Sequence, residues 1–169
     1  MSDMFQGRGA HFSPCGKYRF VLWRIWDVDK PFVMFIGLNP STADENRNDP
    51  TITRVCKIAN YNGFGGIYMM NCFPFVTPYP EKLQAIPEAI MYENDEWLVK
   101  IWIKCSEVVF AWGNFDIVQS SGRCGRLKKM FPTAKALHIN KNGSPKHPLY
   151  CRTDSKFIIY FNNNQNTKS

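Results

Sequence analysis

The sequence predicts an α/β fold: a three-layer α/β/α sandwich around a mainly parallel central sheet of about four strands, with an N-terminal antiparallel hairpin. Three observations predict it. Four short apolar segments, Phe32–Ile36, Ile67–Met70, Val108–Trp112 and Ala136–Ile139, have the length and composition of buried strands. The intervals between them are long enough for crossover helices, which parallel neighbours require. The first interval also carries clear helix punctuation. Strand alternating with helix in this way gives a largely parallel sheet.

Each element has a local reason. Tyr18–Trp26 holds strand-forming residues and turns at Asp27–Lys30 into the first buried strand, which reads as the hairpin. Asp49-Pro50 offers a cap followed by proline at the first helical position. Ile52, Val55, Cys56 and Ala59 then share one helical face, and Gly63 suits the stop. In the second interval Asn94 is the expected cap. Asp95 and Glu96 suit the positive end of the helix dipole, and Trp97, Leu98, Ile101, Trp102 and Cys105 form the apolar stripe. Gly122 and Gly125 interrupt a third helix expected between Asn114 and Met130.

The 169 residues suit a single domain, taken as 1–161, followed by a polar, Asn-rich tail at 162–169. Apolar residues at 44% and charged residues at 21% are close to ordinary globular usage, so neither disorder nor a fibrous repeat is the first reading. No apolar run is long enough to cross a bilayer. Met1 to Phe20 carries glycine, serine and charges where a signal peptide needs an apolar core, so a cytoplasmic protein with no membrane partner is expected. The six cysteines are scattered without a CxxC pair, which points to buried thiols and to no metal and no cofactor.

Charge is distributed unevenly. Residues 121–156 hold nine basic side chains (Arg123, Arg126, Lys128, Lys129, Lys135, Lys141, Lys146, Arg152 and Lys156) against Asp154 alone. An excess of that size attracts polyanions, and it equally describes a solvated lysine-rich face.

A parallel sheet places ligands beyond the carboxyl ends of its strands, so the segments after each strand are the candidate site. After the first strand, Gly37 permits close approach of the backbone, Asn39 can bond a water or a substrate group, Pro40 stiffens the exit, and Ser41 can donate to an anion. After the second strand, Asn71 carries the donor and acceptor that reading a base edge needs, and Phe73 and Phe75 offer faces for stacking. After the third, Gly113-Asn114 resembles a strand-to-helix turn whose N–H groups can hold a phosphate. After the fourth, His147 lies in the basic stretch, able to stabilise an anion or carry a proton. Each has a plainer alternative, as a turn residue, a core aromatic or a structural histidine.

The pattern Gly37-Leu38-Asn39-Pro40-Ser41-Thr42-Ala43-Asp44, with Asp49-Pro50-Thr51, Asn71-x-Phe73, Ala111-Trp112-Gly113 and Lys146-His147-Pro148-Leu149-Tyr150, resembles domain-of-unknown-function family 1643 of bacteria and phages, over roughly Tyr18 to Tyr150. More distantly, the chain resembles the uracil-DNA glycosylase superfamily. Gly37-Leu38-Asn39-Pro40 is similar to the mismatch-specific branch, whose Asn positions the attacking water. Asn71 with Pro74 and Pro78 is similar to the base-reading Asn and its loop, and His147-Pro148 matches the start of the His-Pro-Ser loop. Leu149 departs from that loop's serine, and Asp44, Glu45 and Asp49 add carboxylates near the presumed site.

The resemblance implies an N-glycosidic bond hydrolase acting on a base in DNA or in a nucleotide. In that reading His147 stabilises the departing base and Asn39 orients the water, with Asp44 or Asp49 as the base if either faces the pocket. Phe73 or Phe75 stacks on the base while Asn71 reads its edge. Arg123, Arg126, Lys128, Lys129, Lys141, Lys146 and Arg152 hold phosphates. Two rival classes stand beside it. One is a non-catalytic nucleotide or DNA binder on the same fold, such as a sensor or phage counter-defence factor; the other is a protein-interaction module with a basic face. The sequence leaves the base and the oligomeric state open.

Overall fold

The computed structural model describes residues 7–160; the expected tail at 162–169 lies outside the described residues. Seven strands form one mixed sheet: β1 (Arg8–Phe12), β2 (Arg19–Ile25), β3 (Phe32–Gly37), β4 (Gly66–Asn71), β5 (Glu107–Phe110), β6 (Lys135–Ala136) and β7 (Ile158–Ile159). Their order is β1-β2-β4-β3-β5-β6-β7. The four central strands β4, β3, β5 and β6 run parallel, whereas β1, β2 and β7 add antiparallel edges. The α/β class therefore stands, but the sheet is larger and more mixed than the four apolar segments indicated.

Helices α1 (Pro50–Tyr61), α2 (Glu88–Trp102), α3 (Asp116–Ser120) and α4 (Arg123–Met130) follow in chain order. Alternate residues along β3 enter two different apolar clusters, as the period of a strand requires. Val33 and Phe35 pack with Ile52, Val55, Ile58 and Ala59 of α1. Met34 and Ile36 pack with Leu98 and Ile101 of α2, Val118 of α3 and Leu127 of α4. Both faces of β3 are buried, which explains its unbroken apolar run.

Local chemistry accounts for the helix ends. Asp49 caps α1, its Oδ1 accepting from the Ile52 N–H at 2.9 Å, with Pro50 in the first turn. Gly63 adopts the left-handed region at φ +89° just beyond the end. Gly122, at φ +84°, breaks the expected third helix into α3 and α4.

Four expectations require correction. The Tyr18–Trp26 strand does not form a hairpin with β3: β2 pairs with β1 and β4, and β4 lies between β2 and β3. The crossing runs over Gly65, whose carbonyl accepts the Trp26 and Asp27 N–H groups; a Cβ there would lie 1.9 Å from the Asp27 carbonyl oxygen. Asn94 does not cap α2, which begins at Glu88. It is buried within the helix, and its Nδ2 donates to the Asn71 carbonyl at 3.0 Å. The third strand ends at Phe110 rather than Trp112. The fourth shrinks to Lys135–Ala136, because Ile139 already bridges to Pro145 in the following loop.

Among the described residues no helix is long and apolar enough to cross a membrane. The six cysteines are free thiols, and the described residues contain no convergence of three or more His, Cys, Asp or Glu side chains.

Candidate active site

A cleft of about 160 Å³ opens at the carboxyl ends of β3 and β4, beside the first turn of α1. β3 is also where the strand order reverses: the chain passes from β3 to β4 on one side and reaches β5 on the other. Gly37, Asn39, Ser41, Asp49, Asn71 and His147 line the cleft together, joined by Arg19 and Phe115. Segments distant in sequence thus meet at one rim.

Gly37 and Asn71 are partners in the parallel ladder. Asn71 is 2% exposed, and its Nδ2 has no hydrogen-bond partner. A buried amide without a partner costs about 1–3 kcal/mol, which a ligand on this wall would recover. Asn39 is held differently. Its Nδ2 donates to the carbonyls of Phe75 at 2.9 Å, Thr77 at 2.8 Å and Pro40 at 3.2 Å. Both amide protons therefore tie two loops together, and Oδ1 is the atom left to accept from a water or substrate.

His147 opens a 3-10 turn, Pro148–Tyr150, and its Nδ1 accepts from the Leu149 N–H at 3.1 Å. The neutral imidazole must then carry its proton on Nε2, which makes that atom a donor. Burial lowers the His147 pKa below its ordinary value, with the Asp49 carboxylate opposing the shift. Gly113, at φ +82°, lies next to His147, where a Cβ would come within 3.2 Å of the His147 Cβ, and its N–H donates to the Pro145 carbonyl at 2.9 Å. That bond occupies the N–H expected to hold a phosphate. Asn114 is exposed and accepts from the Asn142 amide, outside the residues lining the cleft.

The two candidate carboxylates separate clearly. Asp49 lines the cleft with Oδ1 held by its cap. Asp44 is turned into its own loop, where Oδ1 accepts from the Asn46 and Arg47 N–H groups, and these bonds lower its pKa. The aromatic residue at the cleft is Phe115; Phe73 is 4% exposed in the core, and Phe75 packs on Tyr18 with ring centroids 5.5 Å apart.

Sequence reasoning missed Arg19. It opens β2, which runs antiparallel to β4, so its first residue reaches the rim where β4 ends. Arg19 is 2% exposed; its Nη1 donates to the Ala43 carbonyl at 3.0 Å, and its Nε has no partner. Burial pushes its pKa down to about 10, which leaves it charged at neutral pH. Two arginines in an otherwise apolar strand, Arg19 and Arg24, were the available signal. Its companion Arg24 is fully engaged, through Asn48 Oδ1 and the carbonyls of Asp44 and Arg47 in the same loop and the Trp23 carbonyl in β2.

Four of the nine basic side chains are ion-paired, three of them with acids from outside the stretch and one with Asp154 within it. Asp95 binds Arg123 at 2.9 Å and Arg126 at 2.6 Å, Glu107 binds Lys135 at 3.1 Å, and Asp154 binds Arg152 at 3.0 Å. Lys128 lies over the Tyr160 ring and Lys129 is exposed on α4. Lys141 and Lys146 share the loop that carries His147, and Lys146 lines a groove with His147 and Phe115. A larger cavity of about 690 Å³ lies beside Phe73, Asp95, Arg123 and Arg126. Arg123 has two nitrogens without partners there, and it shares the Asp95 carboxylate with Arg126.

The family model for DUF1643, described as a protein of unknown function, matches residues 19–149. The chain belongs to the DUF1643 family. The match begins at Arg19 and takes in every residue lining the cleft. No curated protein and no solved structure matches the chain.

Proposed function

We propose that this DUF1643 protein hydrolyses an N-glycosidic bond, releasing a base from DNA or a nucleotide on a fold of the uracil-DNA glycosylase type. The observation that carries the reading is the meeting of Asn39, Asp49, Asn71 and His147 around one small cleft. Glycosidic cleavage sends negative charge onto the departing base and positive charge onto the sugar. A competent site therefore needs donors on one side and an acceptor or base on the other. The Nε2–H of neutral His147 donates to the base. Asn39 Oδ1 orients the water, since an amide is too weak a base to deprotonate it. Asp49, with Oδ1 fixed by the helix cap, accepts the water proton and faces the cationic sugar. Asn71 reads the base edge and Phe115 offers a stacking face. Lys141 and Lys146 are the cations on the His147 loop for a phosphate.

The volume supports a small base. A cavity of ~150 Å³ holds one benzene ring, so a cleft of about 160 Å³ suits a single ring better than a fused pair. The test is a mass-spectrometric search for bases released from DNAs and nucleotides carrying normal and modified pyrimidines. Release by the wild type, lost in His147→Ala, supports the hydrolase. Binding of a nucleotide with no release assigns the fold to the non-catalytic binder instead.

A further inference from the structure

We infer that Arg19 supplies the positive charge of the cleft, binding the ring oxygen on which the departing base carries its negative charge. The inference rests on the hydrolase reading for its chemistry, though not for the existence of an anion site. Two arginines of β2 reach the same loop, and they differ in burial and in how far their N–H groups are satisfied. Arg24 donates Nε to Asn48 and Nη2 to two carbonyls. Arg19 is more deeply buried and donates Nη1 to Ala43, but its Nε has no partner. Arg19 forms no ion pair among the described residues. A buried guanidinium in that state is costly unless an anion completes it.

The rest of the wall agrees. Asn71, whose Nδ2 has no partner, and His147, whose neutral ring carries its proton on Nε2, line the same cleft. Burial keeps His147 neutral, so the imidazole contributes a hydrogen bond and Arg19 contributes the charge. Against Arg19, Asn71 and His147 a ring that presents oxo groups is favoured, because amino groups would meet N–H with N–H there. Asn39 Oδ1 and the Asp49 carboxylate are the acceptors of the cleft. In the reaction the C–N bond breaks and its electron pair passes to the ring, delocalised onto the oxo oxygen beside Arg19. Water oxygen bonds to the sugar carbon, and its proton passes to Asp49 and finally to the released base.

Calorimetric titration with barbiturate, a single-ring oxo anion at neutral pH, tests the charge separately from turnover. The wild type should bind it, and Arg19→Met should weaken binding about ten- to a hundred-fold, the range of a charge-assisted hydrogen bond. Asp49 lies close enough to Arg19 to oppose its shift. Asp49→Asn, which keeps the helix cap, should therefore tighten barbiturate several-fold, and it decides the matter should Arg19→Met fail to fold. No binding by the wild type, equal binding by Arg19→Met, or no tightening in Asp49→Asn overturns the inference. Arg19-dependent binding without base release from any substrate overturns the hydrolase reading and leaves the anion site standing.

Discussion

Gly37 and Asn71 stand side by side in the ladder between β3 and β4, and the missing Cβ of Gly37 makes room for the Asn71 amide. A Cβ at Gly37 would lie 3.1 Å from Asn71 Oδ1 and 2.8 Å from Met69 Cε. Both atoms end flexible side chains, so they would move before the backbone did. Gly37→Ala should then displace the Asn71 amide and cut base release or barbiturate binding at least about ten-fold, at a stability cost of about 1–2 kcal/mol. Denaturant unfolding measured alongside binding separates the two effects. A loss confined to stability would show that Gly37 serves packing alone.

Asp49 has two duties that one pair of variants separates. Asn is as good a helix cap as Asp, so Asp49→Asn should change unfolding stability by no more than a few tenths of a kcal/mol, whereas Asp49→Ala should cost about 1 kcal/mol. Base release should fall about 10²–10⁴-fold in both, the range for a lost general base. Wild-type turnover in Asp49→Asn would reduce the carboxylate to a cap.

Asn39 holds the loops as well as facing the cleft. Asn39→Asp would set a carboxylate against the Phe75 and Thr77 carbonyls that now accept its amide protons, and should destabilise the protein by about 1–3 kcal/mol. Thermal unfolding of this variant measures the tether. An unchanged midpoint would show that the two loops are held by other bonds.

The pH dependence follows from His147. Its folded pKa is depressed, by burial first and against Asp49. An unfolded histidine takes up its proton near ~6.5, and the folded one does so only at lower pH. The stability from this group is therefore fully present above ~6.5 and is lost as pH falls through the folded value. Base release that uses the neutral ring should likewise persist below ~6.5. A pH–rate profile and unfolding curves, each compared with His147→Asn, check both; a His147-dependent loss of rate beginning above ~6.5 contradicts the neutral donor.

Gly113→Ala tests the close approach to His147. The new Cβ would lie 3.2 Å from His147 Cβ, at a backbone φ of +82° that alanine tolerates poorly. Loss of base release with the fold retained, seen by near-ultraviolet circular dichroism, places Gly113 among the positioning residues. Wild-type rates in a folded variant would deny it that place.

The amino-acid order alone determined what is local. Asp49-Pro50 starts a helix because cap and proline act within one turn, and Phe32–Ile36 reads as a buried strand because both its faces are apolar. The positions of Asn39, Asn71 and His147 after strands were equally legible, since a parallel sheet presents its strand ends on one rim. Tertiary structure decided what depends on partners far along the chain. Asn94 looked like a cap and became an interior residue because Asn71 offers it a carbonyl. The basic stretch looked unopposed because Asp95 and Glu107 lie outside it in sequence, and folding brought them to Arg123, Arg126 and Lys135. Arg19 reached the cleft only because β2 pairs with β4, a choice between strands set by packing and chain crossing.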